Sequence, residues 1–167
     1  MSDEQSAESD RSWMGGNRGL SREELAAFLS RPWVCRLATV QPSGAPYVVP
    51  VWYEYDPATQ HLAIVARERS AYVAHIKHEP RVSISVADDA TGHMRALIEG
   101  RADILEGPTT TGRWVEIGRR MAARYLGEQR GPEYLESTLT RPRYLIRVTP
   151  EKIRTWQGTE WHPSYYR

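Results

Sequence analysis

Cysteine is almost absent from this 167-residue chain: Cys35 is the only one, so no disulfide can form within the chain. It stands in an apolar run, where a thiol packs as a small core residue and is chemically inert. No run approaches the roughly 18 apolar residues of a membrane span, and Met1–Asp10 lacks the basic and apolar regions of a signal peptide. We therefore expect a cytoplasmic protein without a disulfide or a catalytic thiol.

A large excess of charge of either sign is also missing. Lys and Arg together number 22 and Asp and Glu 21, which gives a formal net charge of +1. Nucleic acids and anionic membranes recruit proteins through a strong basic field. We therefore expect neither as a partner and predict a small-molecule ligand, bound by a single domain as is usual at this length.

Sequence signatures of several enzyme classes are absent as well. The chain has no G-x-S-x-G, Walker or C-x-x-C pattern, which argues against a hydrolase, a phosphate-loop enzyme and a zinc module. Its five histidines are scattered, at positions 61, 75, 78, 93 and 162. His75 and His78 share the spacing of a helix face, but no cysteine or carboxylate is placed to complete a metal site. We predict no bound metal and expect the histidines on the surface.

Composition divides the chain into three parts. Residues 1–19 are rich in Ser, Asp, Glu and Gly without periodicity, so we predict a disordered N-terminal tail. Residues 20–158 carry the strand and helix patterns of a folded domain. Residues 159–167 form an aromatic C-terminal tail, which we expect to pack on the domain or on a second subunit, since Trp and Tyr favour such interfaces. The alternative is that the tail forms part of the substrate pocket.

Strand patterns dominate the folded part. Apolar alternation, β-branched residues and intervening turn residues predict strands over residues 34–40, 45–55, 61–66, 81–87, 94–105, 144–148 and 152–156. The first three are expected to pair in sequence as a meander. Capping and 3.6-residue periodicity predict helices over residues 22–30, 111–126 and 133–139, and a further helix after residue 70. The fold class is mainly β, with six or seven antiparallel strands that flanking helices cover and that close as a small barrel.

Two local features favour a ligand site outside that barrel. Arg67-Glu68-Arg69-Ser70 connects a strand to a helix, and basic side chains at a helix start suit a phosphate because the first N–H groups lack partners. Pro50 interrupts a strong strand and cannot donate to a ladder, which predicts a sheet edge. Trp52 and Tyr53 follow it and offer flat surfaces, so we predict a planar, phosphorylated ligand.

Four segments resemble one known family in order and spacing. They are Leu37-Ala38-Thr39-Val40 with Gly44 and Pro46, Val49-Pro50-Val51-Trp52-Tyr53, His78-Glu79-Pro80-Arg81-Val82 and Ile98-Glu99-Gly100-Arg101-Ala102. Over residues 21–158 the chain is similar to the flavin and deazaflavin oxidoreductases of the pyridoxamine 5′-phosphate oxidase-like superfamily. The resemblance implies a split β-barrel of the FMN-binding type and a homodimer with two cofactor clefts between the subunits.

The resemblance also implies the positions of the cofactor site. The ring bed would be Val49, Pro50, Val51 and Trp52, and the phosphate loop would include Ala66, Arg67, Arg69, Ser70, Ala71 and Tyr72. Many relatives carry a basic residue in place of Tyr72, and often another in place of Ser70. We therefore expect Arg67 and Arg69 to supply the missing positive charge.

The function that the resemblance implies is hydride transfer between F420 or FMN and a small unsaturated or quinone-like substrate. The cofactor carries this chemistry itself, which agrees with the lack of an acid–base constellation. F420 has an extended anionic tail, for which Arg67, Arg69, Lys77 and Arg81 offer positive charge. The alternative is a non-catalytic protein that binds a flavin, haem or another tetrapyrrole, with His75 or His93 as the axial ligand of a haem.

Overall fold

The computed structural model describes residues 19–91 and 93–158, so the predicted tails at 1–19 and 159–167 lie outside it, apart from Gly19. The described chain forms four helices and seven strands. In chain order they are α1 (Arg22–Leu29), β1 (Cys35–Val40), β2 (Pro46–Val51), β3 (Glu54–Tyr55), β4 (Leu62–Arg67), α2 (Ala71–His78), β5 (Arg81–Ala87), β6 (Met94–Thr109), α3 (Arg113–Leu126), α4 (Arg130–Glu136) and β7 (Arg143–Gln157).

All seven strands belong to one antiparallel sheet, in the order β2-β1-β5-β6-β7-β4-β3. β2 is one edge of this sheet and β3 is the other, yet only Trp52 and Tyr53 separate the two strands along the chain. A sheet whose edge strands are joined so closely has to curl until its edges meet. The chain is therefore mainly β and has the split-barrel architecture, as predicted.

Alternating side chains fill the inside of the barrel. Ile84 of β5 lies opposite Leu37 of β1 and Ile98 of β6, and all three side chains are fully buried. Val82 and Val86 point to the same side as Ile84 and are buried as well. Because large side chains fill a barrel of this size, a cofactor-sized ligand has to bind outside its interior.

The predicted meander of three sequential strands is wrong. Residues 45–55 do not form one strand but two, β2 and β3, which lie at opposite edges of the sheet. β2 pairs with β1 and β3 pairs with β4, so both predicted hairpin turns exist. The bend at Trp52 and Tyr53 separates the two hairpins, and strand periodicity carries no signal for such a bend.

The two strands predicted near the C-terminal end of the domain are in fact one, β7. The ladder between β6 and β7 shifts register at Gly100, which lies opposite Pro150. Pro150 has no N–H group, but a bulge is a position where a ladder tolerates this. A Cβ atom at Gly100 would overlap the carbonyl oxygen of Thr149, so the absence of a side chain at Gly100 lets the long strands cross closely.

The helices cover the outside and one end of the barrel. α1 begins with the predicted capping box, in which Ser21 accepts from the Glu24 N–H and Glu24 accepts from the Ser21 N–H. α3 and α4 pack on the outer face of β4 and β7 through a second apolar cluster that contains Trp114, Leu135 and Leu145. α4 begins three residues before its predicted start, at Arg130 instead of Glu133.

Candidate functional site

A cleft of about 350 Å³ lies outside the barrel, between the edge strand β2, the junction of β4 with α2, and the pair of helices α3 and α4. Three strands, β2, β4 and β7, and three helices, α2, α3 and α4, therefore contribute to it. Its lining consists of Val49, Pro50, Val51, Trp52, Val65, Arg67, Ser70, Tyr72, Gly118, Met121, Tyr134, Leu135 and Arg143.

The structure brings most of the predicted cofactor residues to this one cleft. All four ring-bed residues line it, and so do Arg67, Ser70 and Tyr72 of the phosphate loop. Three predicted residues do not line it: Ala66 is buried in the barrel core, while Arg69 and Ala71 are exposed elsewhere.

Sequence reasoning missed the opposite wall of the cleft. This wall consists of Val65 of β4, Gly118 and Met121 of α3, Tyr134 and Leu135 of α4, and Arg143 of β7. Nothing in the local sequence marks these residues as ligand contacts, since Met121 and Leu135 read as core positions. They reach the cleft because α3 and α4 fold back over β4 and β7.

Trp52 is the flat residue of the predicted ring bed, and two tyrosines hold its ring in place. Its ring stacks on Tyr125 with centroids 4.8 Å apart and planes within 2°, and Tyr134 meets it edge-on at 5.8 Å. Such aromatic pairs restrict a ring to one orientation. Tyr53, in contrast, is completely buried and offers no surface to a ligand, so this part of the prediction is wrong.

The Tyr125 hydroxyl fixes the bend that places Trp52 in the cleft. It donates a hydrogen bond of 2.8 Å to the Trp33 carbonyl and accepts one of 3.3 Å from the Tyr53 N–H. Burial is the main reason why the pKa of Tyr125 lies above its ordinary value, so this hydroxyl stays protonated and can keep donating.

Two arginines face the cleft from adjacent strands. Arg67 ends β4 and Arg143 begins β7, and the antiparallel register places them directly opposite each other. Side chains at such positions point to the same face with Cβ atoms about 5 Å apart, where like charges destabilise the pair. Neither guanidinium forms a salt bridge to a carboxylate of the described residues.

Arg143 is the more unusual of the two because only 6% of it is exposed. Its Nη2 donates to Thr138 Oγ1 at 2.7 Å, and its guanidinium lies 5.4 Å from the centre of the Trp114 ring. Its Nε has no hydrogen-bond partner among the described residues. A buried cation with neither a carboxylate nor a full set of acceptors is costly, and an anion in the cleft would relieve that cost.

The start of α2 adds further donors to the same end of the cleft. Ser70 is the N-cap residue, but its side chain does not cap the helix. The first N–H groups of α2 therefore have no side-chain acceptor from Ser70, and the helix dipole is positive there. The arginines and this helix start together make one end of the cleft suited to an anion.

The pKa of Tyr134 reflects the positive charge at this end of the cleft. Burial raises the pKa of its hydroxyl, but hydrogen bonding and charge from Arg67 and Arg143 outweigh burial, so the net pKa lies below its ordinary value of 10.0. Tyr53, Tyr72 and Tyr125 shift in the opposite direction, mainly through burial.

We predict that Tyr134 ionises before these three tyrosines in an alkaline titration followed by phenolate absorbance. Replacing Tyr134 with Phe should remove the first step, and Arg143→Met should move that step to higher pH. Because the folded-state pKa is lowered, wild type should also gain stability over Tyr134→Phe as pH rises through that pKa. An unchanged first step in Tyr134→Phe would contradict this assignment.

The four described histidines and the cysteine do not line the cleft. His75 is buried, contrary to the expected surface position, with Nδ1 3.0 Å from Thr39 Oγ1 and its ring edge-on to Tyr47. His93 is exposed next to the start of β6. Cys35 is buried in the core, and burial raises the pKa of its thiol to about 12, so it is not a nucleophile at neutral pH.

Across residues 19–91 and 93–158, no three His, Cys, Asp or Glu side chains form a group that could hold a metal ion. None of the helices in that part of the chain combines the length and apolar character needed to cross a membrane.

Comparison with known proteins identifies relatives at the level of the family and the fold. The family model described as pyridoxamine 5′-phosphate oxidase matches residues 21–157. No curated protein sequence gives a significant match. Among solved structures, one described as an F420 reductase is 27% identical, with a TM-score of 0.60 over 76% of this chain and 93% of that chain.

Two other solved structures share the fold. A FAD-binding protein from Mesorhizobium loti is 24% identical, with a TM-score of 0.60 over 86% of this chain and 98% of its own. HutZ from Vibrio cholerae, described as a haem storage protein, is 20% identical, with a TM-score of 0.59 over 80% of this chain and 93% of its own.

Proposed function

The chain belongs to the pyridoxamine 5′-phosphate oxidase family, and on that premise we propose that its cleft binds F420 or FMN. We further propose that it is an oxidoreductase which transfers hydride between this cofactor and a small unsaturated or quinone-like substrate. Membership of this family does not by itself identify the cofactor or the reaction. The cofactor therefore has to match the residues that line the cleft.

The observation that carries the proposal is the pair Arg67 and Arg143, neither of which forms a salt bridge with a carboxylate of residues 19–91 or 93–158. The two cations lie directly across an antiparallel ladder. Arg67 is exposed, but Arg143 is buried and its Nε has no partner among the described residues, so an anion in the cleft would stabilise the pair. Guanidinium groups bind phosphate through several charge-assisted hydrogen bonds. Both F420 and FMN carry a phosphate, and Ser70 and the start of α2 are placed to complete its site.

The other end of the cleft fits a flat ring. Trp52 presents a ring that Tyr125 holds rigidly, and Val49, Pro50 and Val51 line the neighbouring edge strand. Because β2 is an edge of the sheet, its outer backbone groups are available to the polar rim of a heteroaromatic ring. The distance between ring bed and arginines is spanned by an apolar wall, as a phosphorylated ring cofactor requires.

When bound, the cofactor would supply the hydride chemistry itself. The chain's own tasks are then to bind the phosphate through Arg67 and Arg143, to orient the ring against β2, and to exclude water with Met121 and Leu135. After hydride transfer the reduced substrate needs a proton, which solvent would supply, so the proposed reaction needs no general acid among the side chains of the cleft. The raised pKa of Tyr72 keeps that hydroxyl neutral beside the phosphate end.

We also propose a homodimer with two cofactor clefts between the subunits. β2 is an unpaired edge in the described sheet, and its outer side carries the exposed residues Pro46, Val48 and Pro50. Val48 is 62% exposed, and no other large hydrophobic residue of the described chain is exposed. An apolar strand edge in water favours association, and a second subunit there would close the open side of the cleft.

F420 is the cofactor that we would test first. The solved structure described as an F420 reductase is 27% identical to this chain, whereas the FAD-binding protein is 24% identical and supports the fold alone. Of the four basic residues expected to hold an anionic tail, Arg81 is already paired with Glu79 at 2.8 Å. Lys77 donates to the Tyr144 hydroxyl at 3.2 Å. Of the remaining two, Arg67 lines the cleft and Arg69 is exposed without lining it.

Non-catalytic haem binding is the second candidate, supported by the shared fold of HutZ. Haem proteins hold iron through an axial side chain, most often histidine. Among the described residues, no histidine lines the cleft, and His75 is buried with Nδ1 beside Thr39. Haem would therefore have to bind without either of the two histidines proposed as axial ligands, or bind elsewhere.

The proposal is tested by titrating the purified protein with F420, FMN and haemin while recording absorption spectra. We expect saturable binding of F420 or FMN, followed by turnover when the reduced cofactor and a quinone are supplied together. A Soret band with no response to F420 or FMN would favour the haem candidate. Tight F420 or FMN binding without turnover of any quinone or unsaturated acceptor would favour a carrier.

A further inference from the structure

A glycine lies in the middle of α3 although its backbone does not need one. Gly118 has ordinary helical geometry, unlike Gly127, whose φ of 90° ends the helix. Glycine in a helix interior is less favourable than alanine because it leaves more conformational freedom in the unfolded chain. The backbone conformation therefore gives no reason for glycine at this position.

Packing within the chain does not require glycine there either. A Cβ atom at position 118 would lie 3.4 Å from Leu135 Cδ1 and 3.7 Å from the Trp114 ring. The second of these distances is an ordinary van der Waals contact, and the first is relieved by a small shift of a flexible methyl group. Gly131 of α4 is a direct contrast, because a Cβ there would overlap the backbone of Ala122 and Ala123.

What distinguishes Gly118 is its place in the cleft. It is buried, and it lines the cleft together with Met121 of the same helix and Leu135 of α4. A Cβ at this position would lie against Leu135, which itself lines the cleft, so a side chain at position 118 adds atoms at the cleft wall. The missing side chain thus leaves the cleft wider beside Leu135.

We propose that Gly118 is a specificity-determining position, whose lack of a side chain gives room for the part of the ligand that joins the ring to the phosphate. This inference rests on the proposed function, since it takes the occupant of the cleft to be a phosphorylated ring cofactor. In F420 and FMN this joining part is a polyol chain, so a side chain at position 118 would exclude both cofactors while leaving the anion site open.

The test compares Gly118→Ala and Gly118→Leu with wild type, using F420, FMN and inorganic phosphate as probes. We expect Gly118→Ala to raise the melting temperature of the cofactor-free protein by about 2–4 °C, because alanine favours the helix. It should weaken cofactor binding about tenfold, and Gly118→Leu about a hundredfold, since one methyl group in a fitted site has effects of this size. Thermal stabilisation by phosphate, compared with chloride at equal ionic strength, should not change.

Three outcomes would overturn the inference. Unchanged cofactor affinity in Gly118→Ala would show that the position faces no ligand. Equal losses in the response to phosphate and in cofactor affinity would indicate a distorted cleft instead of a blocked one. Failure of wild type to bind either cofactor would overturn the proposed function and this inference together, whereas the first two outcomes leave the proposed function intact. Gly131→Ala, with its expected fall in melting temperature, serves as the example of a glycine needed for packing.

Discussion

Replacing Arg143 with methionine is expected to weaken F420 or FMN binding about a hundredfold without destabilising the protein. Losing charge-assisted hydrogen bonds from a buried cation to a phosphate costs about 3 kcal/mol of binding free energy, which corresponds to about two decades in Kd. The stability of the cofactor-free protein should stay constant or rise, since an unpaired buried charge is removed.

Methionine suits this experiment because the surroundings of Arg143 can accept it. Its unbranched, polarisable side chain can replace the guanidinium against the Trp114 ring, which now lies 5.4 Å away. Thr138 Oγ1 would lose the Arg143 donor but still lies 3.0 Å from the Leu135 carbonyl, to which it can donate. No buried polar group is therefore left without a partner by the substitution.

Arg147→Met is the matched control for Arg143→Met. Arg147 has the same residue type, the same strand and the same side of the sheet, but it pairs with Asp103 at 3.0 Å and does not line the cleft. Calorimetric titration with F420 or FMN measures the cofactor affinity of each variant. Thermal melting with and without phosphate measures its stability and its response to an anion. Equal affinities of Arg143→Met and Arg147→Met would contradict the anion site, and a large drop in melting temperature of Arg143→Met alone would assign Arg143 a structural role.

Replacing Val48 with aspartate is expected to convert the proposed homodimer into monomers and to abolish cofactor binding. In a two-fold interface every substitution occurs twice, so the apolar patch would receive two carboxylates at once. Because Val48 is 62% exposed in the single chain, the folding stability of the monomer should change by only about 0.5 kcal/mol. The large effect is confined to assembly and to the site that assembly completes.

Sedimentation measures the oligomeric state of Val48→Asp, and cofactor titration of the same sample measures its affinity. Ala58→Asp adds the same charge on the exposed turn between β3 and β4 and should leave both dimer and affinity unchanged. A dimeric Val48→Asp protein would refute the role of β2 as the subunit boundary. A monomeric variant that still binds F420 or FMN with wild-type affinity would show that the cleft of one chain is sufficient.

The sequence by itself determined the local elements of this protein. The capping box at Ser21 fixed the start of α1, and alternation along residues 81–87 identified β5 with the correct inward face. Pro50 marked an edge strand, because a residue without an N–H group cannot serve the inside of a sheet. Such features depend on side chains only a few positions apart, so they can be read without knowing the fold.

The closure of the barrel was decided by tertiary structure. Periodicity predicted one strand over residues 45–55, but these residues serve both edges of the sheet through the bend at Trp52 and Tyr53. That bend is stable because the Tyr125 hydroxyl reaches both Trp33 and Tyr53 from a helix far along the chain. No local pattern contains this information.

At the anion end of the cleft, too, only some of the residues could be identified from sequence. Arg67 and Ser70 stand in a strand–loop–helix segment that is recognisable from sequence, whereas Arg143 reads only as the residue before a strand. The register of β7 on β4 places Arg143 opposite Arg67, and the fold of α3 and α4 buries it. The conformational preference of a segment depends on neighbouring residues, but strand register and helix docking depend on packing between distant segments. The sequence therefore indicated the loop in which a phosphate could bind. Only the tertiary structure decided that Arg143 is the second cation and that α3 and α4, with Gly118, supply the opposite wall of the cleft.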